Sequence, residues 1–218
     1  MTCIWPDNLD TLHQLGIDRC FEFCELNKLP FPKVNRIAPE NWHFDVPAYF
    51  RPDTEPERQM IQGGAMQRRG YGTGINICVP RCRPLAREEY ARNWSWPGNT
   101  ADRTAFGVMA HEIGHHADWT ASTTKGRYYG NYSVDLRAAT QAKPLTGYCE
   151  NDAEWFAELF RLFITNPALL AVLRPELYLK LRERWTPTIP ADDWRKPLGY
   201  NVPARIVKAI ENKLKGKQ

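Results

Sequence analysis

Long hydrophobic runs are missing from this 218-residue sequence, and that absence sets the first limit. No stretch approaches the ~18 consecutive apolar residues of a spanning helix, so no membrane-spanning helix is expected. The opening residues, MTCIWPDNLD, show neither a basic leader nor an apolar core, so no Sec-type signal peptide is expected. A cytoplasmic protein follows as the expectation, although export by a signal-less route would leave no mark of this kind. Internal repeats and low-complexity blocks are lacking too, which argues against solenoids and arrays. Histidine is scarce. There are five, His13, His43, His111, His115 and His116, and none follows His116. Any metal site that needs a third histidine downstream of His116 is thereby excluded.

What is present fits a packed globular protein. Eight Trp, nine Tyr and nine Phe, with 43% hydrophobic and 25% charged residues, are incompatible with a disordered chain. The net charge of +4 is mild. Part of it sits in the tail, at Lys208, Lys213, Lys215 and Lys217, and part in residues 51–92, where eight Arg meet five acidic residues. Such an excess steers association without specifying it. No nucleic-acid-binding motif accompanies it, so a solvated surface is the expectation and a nucleic-acid partner the alternative.

The six cysteines are Cys3, Cys20, Cys24, Cys78, Cys82 and Cys149. Without a secretion signal the even count does not imply a disulfide framework. Cys20/Cys24 and Cys78/Cys82 share a CxxxC spacing that would suit a second metal. Neither pair has the Gly-rich knuckle of a structural zinc site, so buried free thiols are expected.

Along the chain, residues 7–29 predict a helix, with Leu9, Leu12, Ile17, Phe21, Cys24 and Leu26 near helical spacing and Pro30 and Pro32 as a stop. Residues 31–50 read as short β-type pieces broken by Pro39 and Pro47. Glycines from Gly63 to Gly74 precede residues 75–79, the best strand candidate. A helix is predicted from about Thr100 to Thr120, capped by Asn99 or Thr100. A loop is expected from Gly126 to about Gly147, then a helix over residues 151–165 that ends at Asn166-Pro167. Proline divides the remainder, residues 168–218, into three or four helical pieces. The predicted fold class is α+β: a single unit, 1–218, with an α/β lobe at 1–99 and a helical lobe at 100–218.

The chemistry is concentrated in His111-Glu112-Ile113-Gly114-His115. Residues at i and i+4 of a helix lie on one side, with Cβ atoms about 5–6 Å apart, so two imidazoles there can converge on one Zn²⁺. Glu112 lies about 100° round from His111, placed to hold the attacking water as a base. Shuffling a chain of this composition would produce HExxH in roughly 0.7% of trials, the ordinary false-positive risk of a short motif. The flanking Phe106, Met109, Ala110, Ile113 and Ala117 add the apolar side of a core helix, and Gly107 and Gly114 permit close approach of another backbone.

A catalytic zinc has three protein ligands. The candidate source of the third is Glu154-Trp155-Phe156-Ala157-Glu158, where two carboxylates again share a helix face. Their repulsion is relieved if one binds the ion and the other accepts the ring N–H of a ligand histidine. His116 should point about 100° away from His115 and take no part. Asp118 is either a supporting carboxylate for His115 or an ordinary helix-end group.

HEIGH followed some forty residues later by EWFAE resembles the gluzincin zinc metallopeptidases, in particular the catalytic domain of anthrax lethal factor and related bacterial and phage-borne peptidases. The resemblance covers about residues 100–165. It implies a zincin-like fold, with a small N-terminal sheet over the active-site helix and a helical C-terminal half. One Zn²⁺ per chain would be bound by His111, His115 and Glu154, with Glu112 as general base and Glu158 supporting a ligand. It also implies a tyrosine before the ligand Glu that stabilises the oxyanion; Tyr148 fits, with Tyr128, Tyr129 and Tyr132 as competitors. An edge strand should hold a protein or peptide substrate, and residues 75–79 are the candidate. The alternatives are a peptidase-like regulatory or toxin-system protein with little turnover, and a nucleic-acid-associated protease.

Overall fold

The computed structural model describes residues 11–30, 32–36, 48–51, 59–62, 65–68, 74–77, 102, 104–125, 130–149, 151–189, 192–196, 202 and 204–215. Asn99, Thr100, Tyr128, Tyr129, Cys3, Cys78, Cys82 and most of the Arg-rich stretch lie outside these residues.

The first helix, α1 (Thr11–Leu26), ends three residues before the predicted limit at 29, and residues 7–10 of that prediction lie outside the described residues. It ends because Lys28 turns left-handed, at φ 51°, so that Leu29 N–H reaches Cys24 O at 2.9 Å and Lys28 N–H reaches Glu25 O at 3.1 Å. That pair of bonds closes the last turn as a Schellman motif. Asn27 then ties this end to a distant segment, accepting from Thr186 N–H at 2.6 Å and donating to Thr186 O at 2.9 Å. Cys20, Phe23 and Cys24 face inward. Phe23 meets Phe160 and Phe163 edge-on, at centroid distances of 5.4 and 6.1 Å.

Five short strands follow: β1 (Val34–Arg36), β2 (Ala48–Arg51), β3 (Gln59–Gln62), β4 (Ala65–Arg68) and β5 (Gly74–Ile77). Among the described residues β3 and β4 pair only with each other, and the other three form a mixed sheet in the order β1-β5-β2. β5 is parallel to β1 and antiparallel to β2. The strand predicted at 75–79 is therefore present as Gly74–Ile77, but it is the centre of the sheet. The expectation of a substrate-binding edge there is corrected, since both of its flanks are already hydrogen-bonded. Val34–Arg36 lacks any alternating pattern long enough to announce a partner for β5. Ala48, Ile75 and Ile77 are buried, on the face that packs against the next helix.

That helix, α2 (Ala105–Ala121), carries the HEIGH string. It begins five residues later than predicted. Thr104, not Asn99 or Thr100, is the cap, its hydroxyl accepting from Gly107 N–H at 3.2 Å. Between residues 106 and 115 every side is buried. The helix is wrapped by the sheet, by α1 and by the two helices that follow.

The stretch predicted as loop from Gly126 to Gly147 contains a helix, α3 (Tyr132–Thr140). Its N-cap, Asn131, makes no side-chain capping bond. Asp118 of α2 does the work instead, its Oδ1 accepting from Ser133 N–H at 2.7 Å and its Oδ2 from Ser133 Oγ at 3.1 Å. A start signal supplied by a residue fifteen positions upstream is not readable locally.

The next helix, α4 (Asp152–Thr165), fits the prediction within a residue. Asn151 caps it by accepting from Glu154 N–H at 2.9 Å. From Trp155 to Thr165 it is wholly buried. Asn166 ends it and caps α5 (Pro167–Leu173), and α6 (Pro175–Arg182) follows, each opening on a proline whose missing N–H costs nothing there. The last element is α7 (Ala204–Lys215). The three pieces match the predicted division of the C-terminal part. One apolar core runs through them all, from Cys20 to Ile210, with the α2–α4 contact at its middle.

Candidate metal centre

α2 and α4 approach closely because two small residues meet. A Cβ built on Gly114 would lie 2.8 Å from Ala157 Cα and 2.9 Å from Phe160 Cβ. Gly114 sits between His111 and His115, and Ala157 between Glu154 and Glu158. The missing side chain thus brings both pairs into the same space.

His111 and His115 stand with ring centroids 4.8 Å apart and planes nearly perpendicular. The Glu154 carboxylate spans them, Oε2 lying 3.1 Å from His111 Nε2 and Oε1 3.6 Å from His115 Nε2. Ligand atoms of the three residues fall within 4.8 Å of one another, and the group can hold a metal ion. A tetrahedral ion about 2.0–2.1 Å from each donor would place the donors roughly 3.3–3.4 Å apart, between the two separations seen.

The hydrogen-bond chemistry gives an independent test of fit. His111 Nδ1 lies 2.9 Å from Glu158 Oε1, a carboxylate, and so carries a proton. His111 Nε2 faces a second carboxylate, Glu154, at 3.1 Å. Two lone pairs cannot face each other at that distance, so a proton or a cation must lie between them. Burial and the nearby Arg161 push His111 down, yet the hydrogen bonds to Glu154 and Glu158 outweigh both and raise it to about 9. Burial works against ionisation of Glu154 as well, but the bonds from His111 and His115 hold it below the usual carboxylate range. The site is built to take positive charge.

Glu112 is buried on the same helix turn, and its Oε2 has no hydrogen-bond partner. Burial lifts its carboxyl above the ordinary range, against the pull of His111 and His115. A buried, unpartnered carboxylate oxygen beside a cation site is free to accept a proton from a bound water. Tyr148 lies with its ring centroid 5.8 Å from that of His111. Burial, then the charges of Glu154 and Glu112, push its phenol up to about 12, so it remains a donor. Among the competing tyrosines, Tyr132 belongs to the core, edge-on to Phe156 and Trp185 at 5.6 and 5.5 Å.

Glu158 is fully buried and carries two hydrogen bonds and an ion pair. Oε1 accepts from His111 at 2.9 Å and forms an ion pair with Arg161 at 2.9 Å, and Oε2 accepts from Thr146 Oγ1 at 2.9 Å. Burial alone would favour its neutral form, but Arg161 and the His111 bond keep the carboxyl below its usual range. Arg161 continues to the Asp102 carbonyl at the approach to α2. Arg161 and Thr146 were not singled out in the sequence. Arg161 did carry a signal, as the one cation in the apolar string Phe156–Ile164, three residues after Glu158. Thr146 carried none.

His116 turns away as expected, its Nε2 bonding the Pro30 carbonyl and its ring resting edge-on to Phe50 at 5.5 Å. Asp118 serves α3 through Ser133 and stands near enough to His115 to feel its charge. Cys20 and Cys24 are buried free thiols; burial raises Cys20 well above its ordinary value and Cys24 to about 12. No helix among the described residues is long and apolar enough to cross a membrane. No protein-family model, curated protein or solved structure matches the chain.

Proposed function

We propose that the protein is a zinc-dependent metallopeptidase of gluzincin type, a single zincin-like unit holding one Zn²⁺ on His111, His115 and Glu154. The observation that carries this reading is the unpartnered Glu112 oxygen set beside a two-histidine, one-carboxylate group. Two nitrogens and one oxygen from three protein ligands form the donor set of a catalytic zinc, which leaves a position for water or substrate. Zinc bound there would supply Lewis acidity, easing deprotonation of water and polarising a carbonyl.

The protein's own groups perform the rest. Glu112 takes the proton of the attacking water on its free oxygen and returns it to the leaving amine. Tyr148, kept as a phenol, donates a hydrogen bond to the carbonyl oxygen as that atom gains charge. Glu158 fixes the His111 ring by accepting its Nδ1 proton, so that Nε2 presents a lone pair to the ion. The substrate is a protein or peptide in extended form. With β5 inside the sheet, the edge that pairs with it is β1 or β2.

A single variant tests the reading. Glu112→Gln should bind zinc in a 1:1 ratio like the parent protein while losing about 10²–10⁴-fold in peptide cleavage. Cleavage of a peptide library at the parent rate by Glu112→Gln would refute the mechanism.

A further inference from the structure

Tyr148 is oriented by surprisingly little of its own. No hydrogen bond holds its side chain among the described residues, and its ring contact is with His111. What is anchored is the backbone on either side. Two residues before it, the buried Thr146 donates from Oγ1 to Glu158 Oε2 at 2.9 Å. The same hydroxyl lies 3.5 Å from the sulfur of Cys149, the residue immediately after Tyr148. Leu145, next in the turn, is packed into the core.

We infer that Thr146 is the positioning residue of Tyr148, its hydroxyl clamping the 145–149 turn to the carboxylate that orients His111. The role for Tyr148 rests on the peptidase reading, whereas the clamp itself is testable without turnover. The alternative is that Thr146 merely satisfies a buried oxygen of Glu158. The bonding pattern separates the two. Oε1 of Glu158 already accepts from His111 and pairs with Arg161, so the ring of His111 is held without Thr146. Loss of the hydroxyl should then be felt at Tyr148 far more than at the metal ligands. One carboxylate would thus align a ligand through one oxygen and the oxyanion donor through the other, placing both in register.

The test uses the zinc-loaded full chain. Thr146→Val should speed hydrogen exchange of amides 145–149 roughly tenfold, as loss of one hydrogen bond implies. Zinc affinity should stay within about threefold, kcat should fall about 10–100-fold, and KM should move less than about threefold. Thr146→Ser, which keeps the hydroxyl, should behave as the parent. Adding Thr146→Val to Tyr148→Phe should cost nothing more, because the two act through one group.

Unchanged exchange, a zinc loss large enough to explain the rate, or multiplicative effects in the double variant would each overturn the inference. If Thr146→Val does not fold, Thr146→Ser decides: faster exchange or slower turnover in it means the methyl, and not the hydroxyl, is what matters. If no peptide is cut by the parent protein, the peptidase reading fails, while exchange and zinc affinity still judge the clamp.

Discussion

His111 has two edges, and the protein treats them as different regions. At Nε2 it faces Glu154, whose side chain is 18% exposed and makes no ion pair with Lys or Arg among the described residues. At Nδ1 it faces Glu158, which is 0% exposed, ion-paired with Arg161 and hydrogen-bonded by Thr146. The two glutamates lie one helical turn apart on the same face of α4 and are chemically identical. Surroundings alone assign their roles. The carboxylate whose oxygens are already used by the protein orients a ring, and the one left with spare oxygens belongs to the group that can hold an ion. The helix places both; the buried ion pair with Arg161 sets them apart.

Truncation of each glutamate breaks that comparison in opposite directions. Glu154→Ala should lose most of the zinc affinity in a competitive titration, more than the ~10–100-fold that Glu158→Ala costs as a supporting partner. Stability of the metal-free protein should rank the other way. Glu158→Ala strands Arg161 in the core and should cost about 3–5 kcal/mol by denaturant unfolding, whereas Glu154→Ala removes a part-exposed group and relieves repulsion. Affinity and stability that fall together in the same variant would show that the two edges are not distinct.

Chelation probes the ion-facing edge alone. At zinc 1,000-fold above Kd the ion should stabilise the fold by about 4 kcal/mol, which for a chain of this size raises Tm by roughly 8–16 °C. EDTA should remove that increment from the parent protein and leave Glu154→Ala nearly unaffected. Gly114→Ala tests the contact on which both edges depend. Its new methyl meets Ala157 and Phe160 at under 3.0 Å, so about 1–3 kcal/mol of overpacking is expected, together with weakened zinc binding as the ligand pairs separate. The smallest effect belongs to the exposed Lys180–Glu183 pair, where Lys180→Ala should change stability by no more than about 0.5 kcal/mol.

How far the site could be read from the chain follows the same division. Spacing alone shows that His111 and His115 share a face, that Glu154 and Glu158 share another, and that Asn151 opens α4, because each is a local helical relation. What distinguishes the two glutamates is not local: it depends on a buried arginine whose partner is set by packing. α3 was hidden for a similar reason, since its cap is Asp118 on another helix. β5 was found as a strand but misplaced as an edge, because its parallel partner β1 is three residues long and some forty positions away in the chain. Helical periodicity survives in a sequence; the choice of tertiary partner leaves little trace.

The distance along the chain between His111 and Glu154, 43 residues, has a consequence for synthesis. A ribosome adding about 5–20 residues per second delivers the two histidines some 2–9 seconds before Glu154 exists. During that interval the nascent chain offers only a pair of imidazoles, a weak and unselective half-site open to whichever divalent ion is at hand. On the proposed ligand set, commitment to one ion would come with the docking of α4 onto α2, so the order of translation itself would keep loading reversible until the helices have met.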